Sequence, residues 1–236
     1  MCTLHATDYT LMQETPEMHR KSSVVRFIQQ EIARPSKQWI CNIIDGNQEK
    51  DEVILRTQDF VLLPDTERVN RYWRRNSPPL SPGACRKSPP QARRMLNWLS
   101  ILHDRGLRTM RDLRGEHVPM LKKMLEQCLF IIENSTRIQR DQVMAYVHYP
   151  PSVYQLHVHF AFPYGQHCHR DTYRVHSLTS IITNLEIDPD YYAKATLQLA
   201  LYRQSLHYAA LTAAEEAREQ DQDSASEGSR DHARSE

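Results

Sequence analysis

Apolar and polar positions change period several times along this chain, and each change predicts an element. Val24 to Ala33 repeats at the helical spacing and stops before Pro35. Gln38-Trp-Ile-Cys-Asn-Ile-Ile-Asp45 alternates in part and predicts a strand closed by the turn Asp45-Gly46-Asn47. Val53-Ile-Leu55 and Phe60-Val-Leu-Leu-Pro64 predict two more strands, and the three together an antiparallel meander. Leu96 to His103 and Pro119 to Glu133 carry helical spacing, the second with an apolar stripe through Met120, Met124, Leu125, Cys128 and Ile131 or Ile132. Gln142 to Tyr149 alternates as a strand, Pro150-Pro151-Ser152 turns, and Tyr154 to Phe162 alternates again, predicting a hairpin inside a sheet. Asp171 is placed to cap a helix carrying Val175, Leu178, Ile181, Ile182 and Leu185, and Asp188-Pro189 restarts structure. Leu197, Leu199 and Leu201 predict a last strand. From Ala213 the chain turns rich in Glu, Gln, Asp and Ser and reads as a disordered tail. The order is α+β, an antiparallel sheet with helices packed on it.

Composition changes this picture at one place. Thr66 to Met95 holds five prolines and eight Lys or Arg against the single acid Glu67, the composition of a disordered insertion, with a basic arm for phosphates as the other reading. Over the whole chain of 236 residues the formal charge is only +1, so the molecule is not a polybasic nucleic-acid binder. Cys2, Cys41, Cys85, Cys128 and Cys168 are scattered without a CxxC pair, which points to reduced thiols and a cytoplasmic or nuclear setting. No apolar run approaches a membrane span, and Met1 to His19 lacks a signal-peptide core. The expected domains are an N-terminal extension over 1–37, a main domain over 38–212 with the insertion at 66–95, and the tail over 213–236.

The chemistry concentrates on Tyr154 to Phe162. One strand face is Tyr154, Leu156, Val158, Phe160 and Phe162; the other is Gln155, His157, His159 and Ala161. Three uses of the two imidazoles stand open. A neutral imidazole can attack phosphorus, giving a nucleotidyl-histidine that water hydrolyses, while its neighbour stabilises charge on the phosphoryl oxygens. The two can join His148, His167 or His169 around a metal, although acids or thiolates at metal-like spacing are absent. Or they are simply surface residues of a half-buried strand.

The stretch resembles the histidine-triad family, whose signature is three histidines alternating with apolar residues on one strand. More closely it is similar to the catalytic domain of the scavenger mRNA-decapping family. The residues that carry the likeness are His148-Tyr-Pro-Pro-Ser152, Leu156-His-Val-His-Phe160, Asn184-Leu-Glu-Ile-Asp-Pro189 and Thr196-Leu-Gln-Leu-Ala-Leu201. Trp39-Ile-Cys-Asn-Ile-Ile-Asp45, Phe60-Val-Leu-Leu-Pro-Asp65 and Asp104-Arg-Gly-Leu-Arg-Thr-Met-Arg-Asp-Leu113 extend it.

The resemblance implies a histidine-triad-like sheet and hydrolysis of a residual cap dinucleotide or short capped RNA, releasing N7-methylguanosine monophosphate, without cofactor or metal, in a homodimer. It implies that His157 is the nucleophile and His159 its assistant. It sets His148, Ser152 and Arg174 near the phosphates, Trp39 against the cationic base, and Glu49 and Asp65 on the base edge. Such a base stacks on an aromatic face, and its N–H donors suit carboxylates.

The chain also departs from the family. Gln155 stands where the first histidine of the triad is expected, and an amide neither titrates nor carries charge. An expected lysine is Glu67, and Thr66 replaces an apolar residue. The family's N-terminal domain, which closes as a lid over the ligand, is expected to be missing.

Overall fold

The computed structural model describes residues 8–47, 52–64, 96–162 and 172–232. The chain divides into two compact units, one of residues 1–34 with 194–236 and the other of residues 35–193.

In the first unit, β1 (Tyr9–Glu14) pairs antiparallel with β8 (Leu197–Tyr202), from Tyr9 opposite Tyr202 to Glu14 opposite Leu197. Three helices complete the unit: α1 (Pro16–Arg20), α2 (Ser22–Ala33) and α7 (Leu206–His232). α1 is capped by the Thr15 hydroxyl, which accepts from Met18 N at 3.2 Å. Val24 and Ile28 of α2 and Leu211 and Ala214 of α7 are buried, and the Ser23 hydroxyl donates to Ala210 O at 2.9 Å. The helix therefore runs through residue 213, where a tail was expected. Ala214 is buried, and alanine, glutamate and arginine there are good helix formers. β1 was not foreseen because its inward position Glu14 is charged. That carboxylate is buried and sits 3.0 Å from His19 Nδ1.

The second unit is a six-stranded antiparallel sheet in the order β2-β3-β4-β6-β5-β7. Its strands are β2 (Leu55–Arg56), β3 (Phe60–Pro64), β4 (Asn97–Leu102), β5 (Met144–His148), β6 (His157–Ala161) and β7 (Val175–Ser177). Two expectations are corrected here. Leu96 to His103 is not a helix but the strand β4, buried at every position. It lies between β3 and β6 with both faces covered, and a doubly covered strand carries apolar residues on both faces rather than alternating. Gln38 to Asp45 is not a strand but the helix α3 (Trp39–Ile44), which buries Ile40 and Ile43 and ends at Gly46 with φ +71°, the left-handed conformation that suits glycine. The expected meander thus begins at β2 and continues through β3 and β4.

The remaining helices are α4 (Val118–Thr136), α5 (Leu178–Ile187) and the single turn α6 (Tyr191–Lys194). α4 buries Cys128 on its inner face, and burial pushes that thiol up to about 12. α5 starts after Ser177 rather than at Asp171, which lies outside the described residues, because Val175–Ser177 is drawn into the sheet beside β5. Among the described residues no helix is long and apolar enough to cross a membrane.

Candidate functional site

β6 is held between β4 and β5. His157 lies opposite Ile101, and His159 lies opposite Leu99 on one side and Tyr146 on the other. Leu99 and Ile101 belong to a buried cluster with Val61, Leu63, Ile40, Ile43 and Val153. The histidine face is thus continuous with the core under α3, not a solvated face. His157 is 6% exposed and Gln155 4%.

This burial governs the chemistry of His157. Its Nδ1 lies 2.6 Å from the main-chain oxygen of Gln155, which can only accept, so Nδ1 carries the proton and Nε2 keeps its lone pair. Desolvation lowers the His157 pKa from its ordinary value of 6.5, outweighing the carbonyl, which raises it. The result is a neutral imidazole with a bare Nε2 at neutral pH. Beside it, the His159 ring centroid is 5.1 Å away at 72°. His159 stacks on Tyr146 at 5.1 Å and 15°, and its Nε2 lies 3.2 Å from His148 Nδ1. The strand pairing thus brings His148 of β5 onto the two histidines of β6.

Gln155 is bound differently from its neighbours. Its side-chain amide donates to Leu102 O at 2.8 Å and to Asp104 O at 2.9 Å. Leu156 N donates to Leu107 O at 2.8 Å, and Leu102 N to Leu156 O at 3.1 Å. These four bonds stitch the entry of β6 to the loop that follows β4. A shallow open depression without enclosed volume lies there, bounded by Arg108, Thr109, His148, Pro151, Gln155 and His157 among others.

The other expected site residues are distributed around this centre. Ser152 is exposed in the β5–β6 connection, and its main-chain oxygen accepts from Lys37 Nζ at 2.6 Å. Trp39, half-buried, packs on the apolar cluster that contains Val153. Arg174 is not at the start of a capped helix. It closes the 3-10 turn Thr172–Arg174, where Nε and Nη2 both reach Pro150 O, at 3.2 and 2.9 Å. That carbonyl draws the guanidinium onto the connection after His148. Glu49, Asp65, Thr66, Glu67, His167 and His169 lie outside the described residues. Among the described residues no three His, Cys, Asp or Glu side chains converge as a metal site. Sequence reasoning missed Arg108 and Tyr146. Arg108 stood in the quoted run Asp104 to Leu113, but which loop residue faces the histidines depends on pairing between β4 and β6.

Residues 84–171 match the family described as scavenger mRNA decapping enzyme C-term binding. The m7GpppX diphosphatase of Homo sapiens is 33% identical over 198 residues, which cover 82% of this chain and 52% of that protein. The m7GpppX diphosphatase of Caenorhabditis elegans is 30% identical over 192 residues, covering 79% and 54%. The chain spans about half the length of the curated relatives it matches. Among solved structures, the aprataxin orthologue Hnt3 in complex with DNA aligns over 78% of this chain and 98% of its own at a TM-score of 0.39 and 12% identity, too remote to bear on function. Over residues 84–171 the chain matches the scavenger mRNA-decapping family, and the relatives similar to it along most of its length are m7GpppX diphosphatases.

Proposed function

We propose that this chain hydrolyses N7-methylguanosine cap dinucleotides or short capped RNA through a nucleotidyl-histidine. The observation that carries the reading is the tautomer of His157: buried, neutral, its Nδ1–H fixed on Gln155 O and its Nε2 free for attack. Nε2 attacks the phosphorus next to the methylated nucleoside and forms a P–N bond. The P–O bond to the rest of the phosphate chain breaks, and a nucleoside diphosphate or capped-end remnant leaves. The positive charge that develops on the ring is stabilised by the Gln155 carbonyl already bonded to Nδ1–H. Water then attacks the same phosphorus, the P–N bond breaks, N7-methylguanosine monophosphate departs, and the imidazole returns to neutral.

His159 and His148, linked at 3.2 Å, stabilise the equatorial oxygens. Ser152 lies in the connection beside them. Arg174 keeps that connection in place through Pro150 O and contributes positive potential. Trp39 offers a half-buried ring to the cationic base, with Glu49 and Asp65 as the carboxylates for its edge. The homodimer and the cytoplasmic or nuclear location belong to the same proposal. Sedimentation velocity and localisation of a tagged chain test them.

A second reading, a cap-binding relative with little turnover, is favoured by Gln155, whose amide is committed to two main-chain oxygens rather than to the phosphates. Chromatographic assay of N7-methylguanosine monophosphate release decides between them. Wild type is expected to turn over and His157→Ala to fall by about a thousandfold or more. Equal rates in the two proteins refute the role of His157. Binding of a non-hydrolysable cap without turnover establishes the second reading.

A further inference from the structure

We infer that Arg108 is a phosphate-binding residue of this site, the cation that grips the substrate's phosphate chain opposite His157. This rests on the phosphoanhydride reading above and adds a residue to it. A phosphate chain brings several negative charges into the pocket, and the histidine that would attack it is held neutral by burial. Of the described side chains around that pocket, Arg108 alone carries a permanent charge. Its guanidinium is exposed and makes no hydrogen bond or ion pair among the described residues, whereas Arg174 is occupied with Pro150 O and Arg111 with the Tyr149 hydroxyl at 2.8 Å.

The backbone that projects Arg108 is fixed from three sides. Its own N–H donates to Asp112 Oδ2 at 2.9 Å, and Thr109 N–H to the same oxygen at 2.8 Å. Leu107 O accepts from Leu156 N, the residue before the nucleophile. Gln155 ties Leu102 O and Asp104 O at the start of the loop. An exposed side chain thus stands on a hydrogen-bonded base whose position is set by the nucleophile strand itself. That is the arrangement a gripping arginine requires: the fork is free to find two phosphate oxygens while its root is registered to the attacking atom.

The test uses the full chain and compares wild type, Arg108→Ala and Arg108→Lys. Calorimetric titration with inorganic tripolyphosphate, with a methylene-bridged cap dinucleotide and with N7-methylguanosine separates phosphate binding from base binding. Arg108→Ala is expected to weaken tripolyphosphate and the cap analogue about 10- to 100-fold, the worth of a charge-assisted hydrogen bond, and to leave the nucleoside unchanged. Arg108→Lys, which keeps the charge and loses the fork, is expected to recover part of the loss. Thermal melts should coincide, since the side chain is exposed.

Unchanged tripolyphosphate affinity in Arg108→Ala overturns the inference, and so does a wild type that binds no tripolyphosphate, or an equal loss for the nucleoside. These readouts need no turnover. If the chain proves unable to hydrolyse the cap, a selective loss of phosphate binding still supports the assignment. If it hydrolyses the cap and Arg108→Ala is equally active, the activity stands and the assignment falls.

Discussion

Replacing Gln155 by Met removes the two amide donors while nearly keeping the side-chain volume. Leu102 O sits at the end of a fully buried strand and loses a 2.8 Å donor; a buried acceptor left without its partner costs about 1–3 kcal/mol. Asp104 O still accepts from Leu107 N at 3.2 Å, so its loss is the smaller, about 0.5–1 kcal/mol. The total is about 1.5–4 kcal/mol, or a fall in melting temperature of about 3–16 °C for a chain of this size. Denaturant unfolding measures the stability. Amide hydrogen exchange reports whether the loop carrying Leu107 to Thr109 loosens first, as the stitching requires. Gln155→His separates chemistry from scaffolding. A neutral imidazole has one N–H, so it can replace at most one of the two bonds, and the variant is expected to be less stable than wild type by about 1 kcal/mol. If Gln155→Met unfolds within 0.5 kcal/mol of wild type and exchange at Leu107 to Thr109 is unchanged, the amide is not a clamp and the reasoning fails.

Acid should affect stability through the buried His157 and the half-buried His176, and turnover through His157. The folded pKa values of His157 and His176 are both lowered by desolvation below 6.5. Above that value both states are neutral; as pH falls below it the unfolded chain takes up protons that the folded chain refuses. Stability is therefore full above pH 6.5 and declines below it, by up to about 1.4 kcal/mol per pH unit for each group until its folded pKa is passed. The acid limb of kcat/KM is expected below pH 6.5 as well, and a midpoint above that value contradicts a desolvated nucleophile. Gly115→Ala is expected to cost about 1–3 kcal/mol in a thermal or denaturant melt, because a Cβ there would stand 2.8 Å from Pro189 Cβ and 3.2 Å from Pro189 Cα, next to the Gly115 N–H bond to Pro189 O. An unperturbed melt would mean that this contact is not rigid.

The sequence by itself determined the elements with a clear period and the chemistry that travels on them. The helix after His117, the strand Met144–His148 and the two-faced histidine segment were readable because apolar residues recur on each at a fixed spacing. Short apolar runs without a period were not. Trp39–Ile44 and Asn97–Leu102 were read as strand and helix and folded as helix and strand, because their conformation is chosen by what covers them: α3 by one apolar cluster, β4 by a neighbour on each side and cover on both faces.

The site divides in the same way. His157 and His159 share a face by the two-residue repeat of any strand. That this face is buried, and so makes His157 neutral, depends on β4 pairing with β6 across a long separation in sequence. The same pairing turns Gln155 from a missing imidazole into a clamp, and brings Arg108, nearly fifty residues upstream, to the pocket of the nucleophile. Side-chain chemistry is local and is written in the residues. Desolvation, tautomer and the company a nucleophile keeps are set by long-range packing, which only the tertiary structure decides.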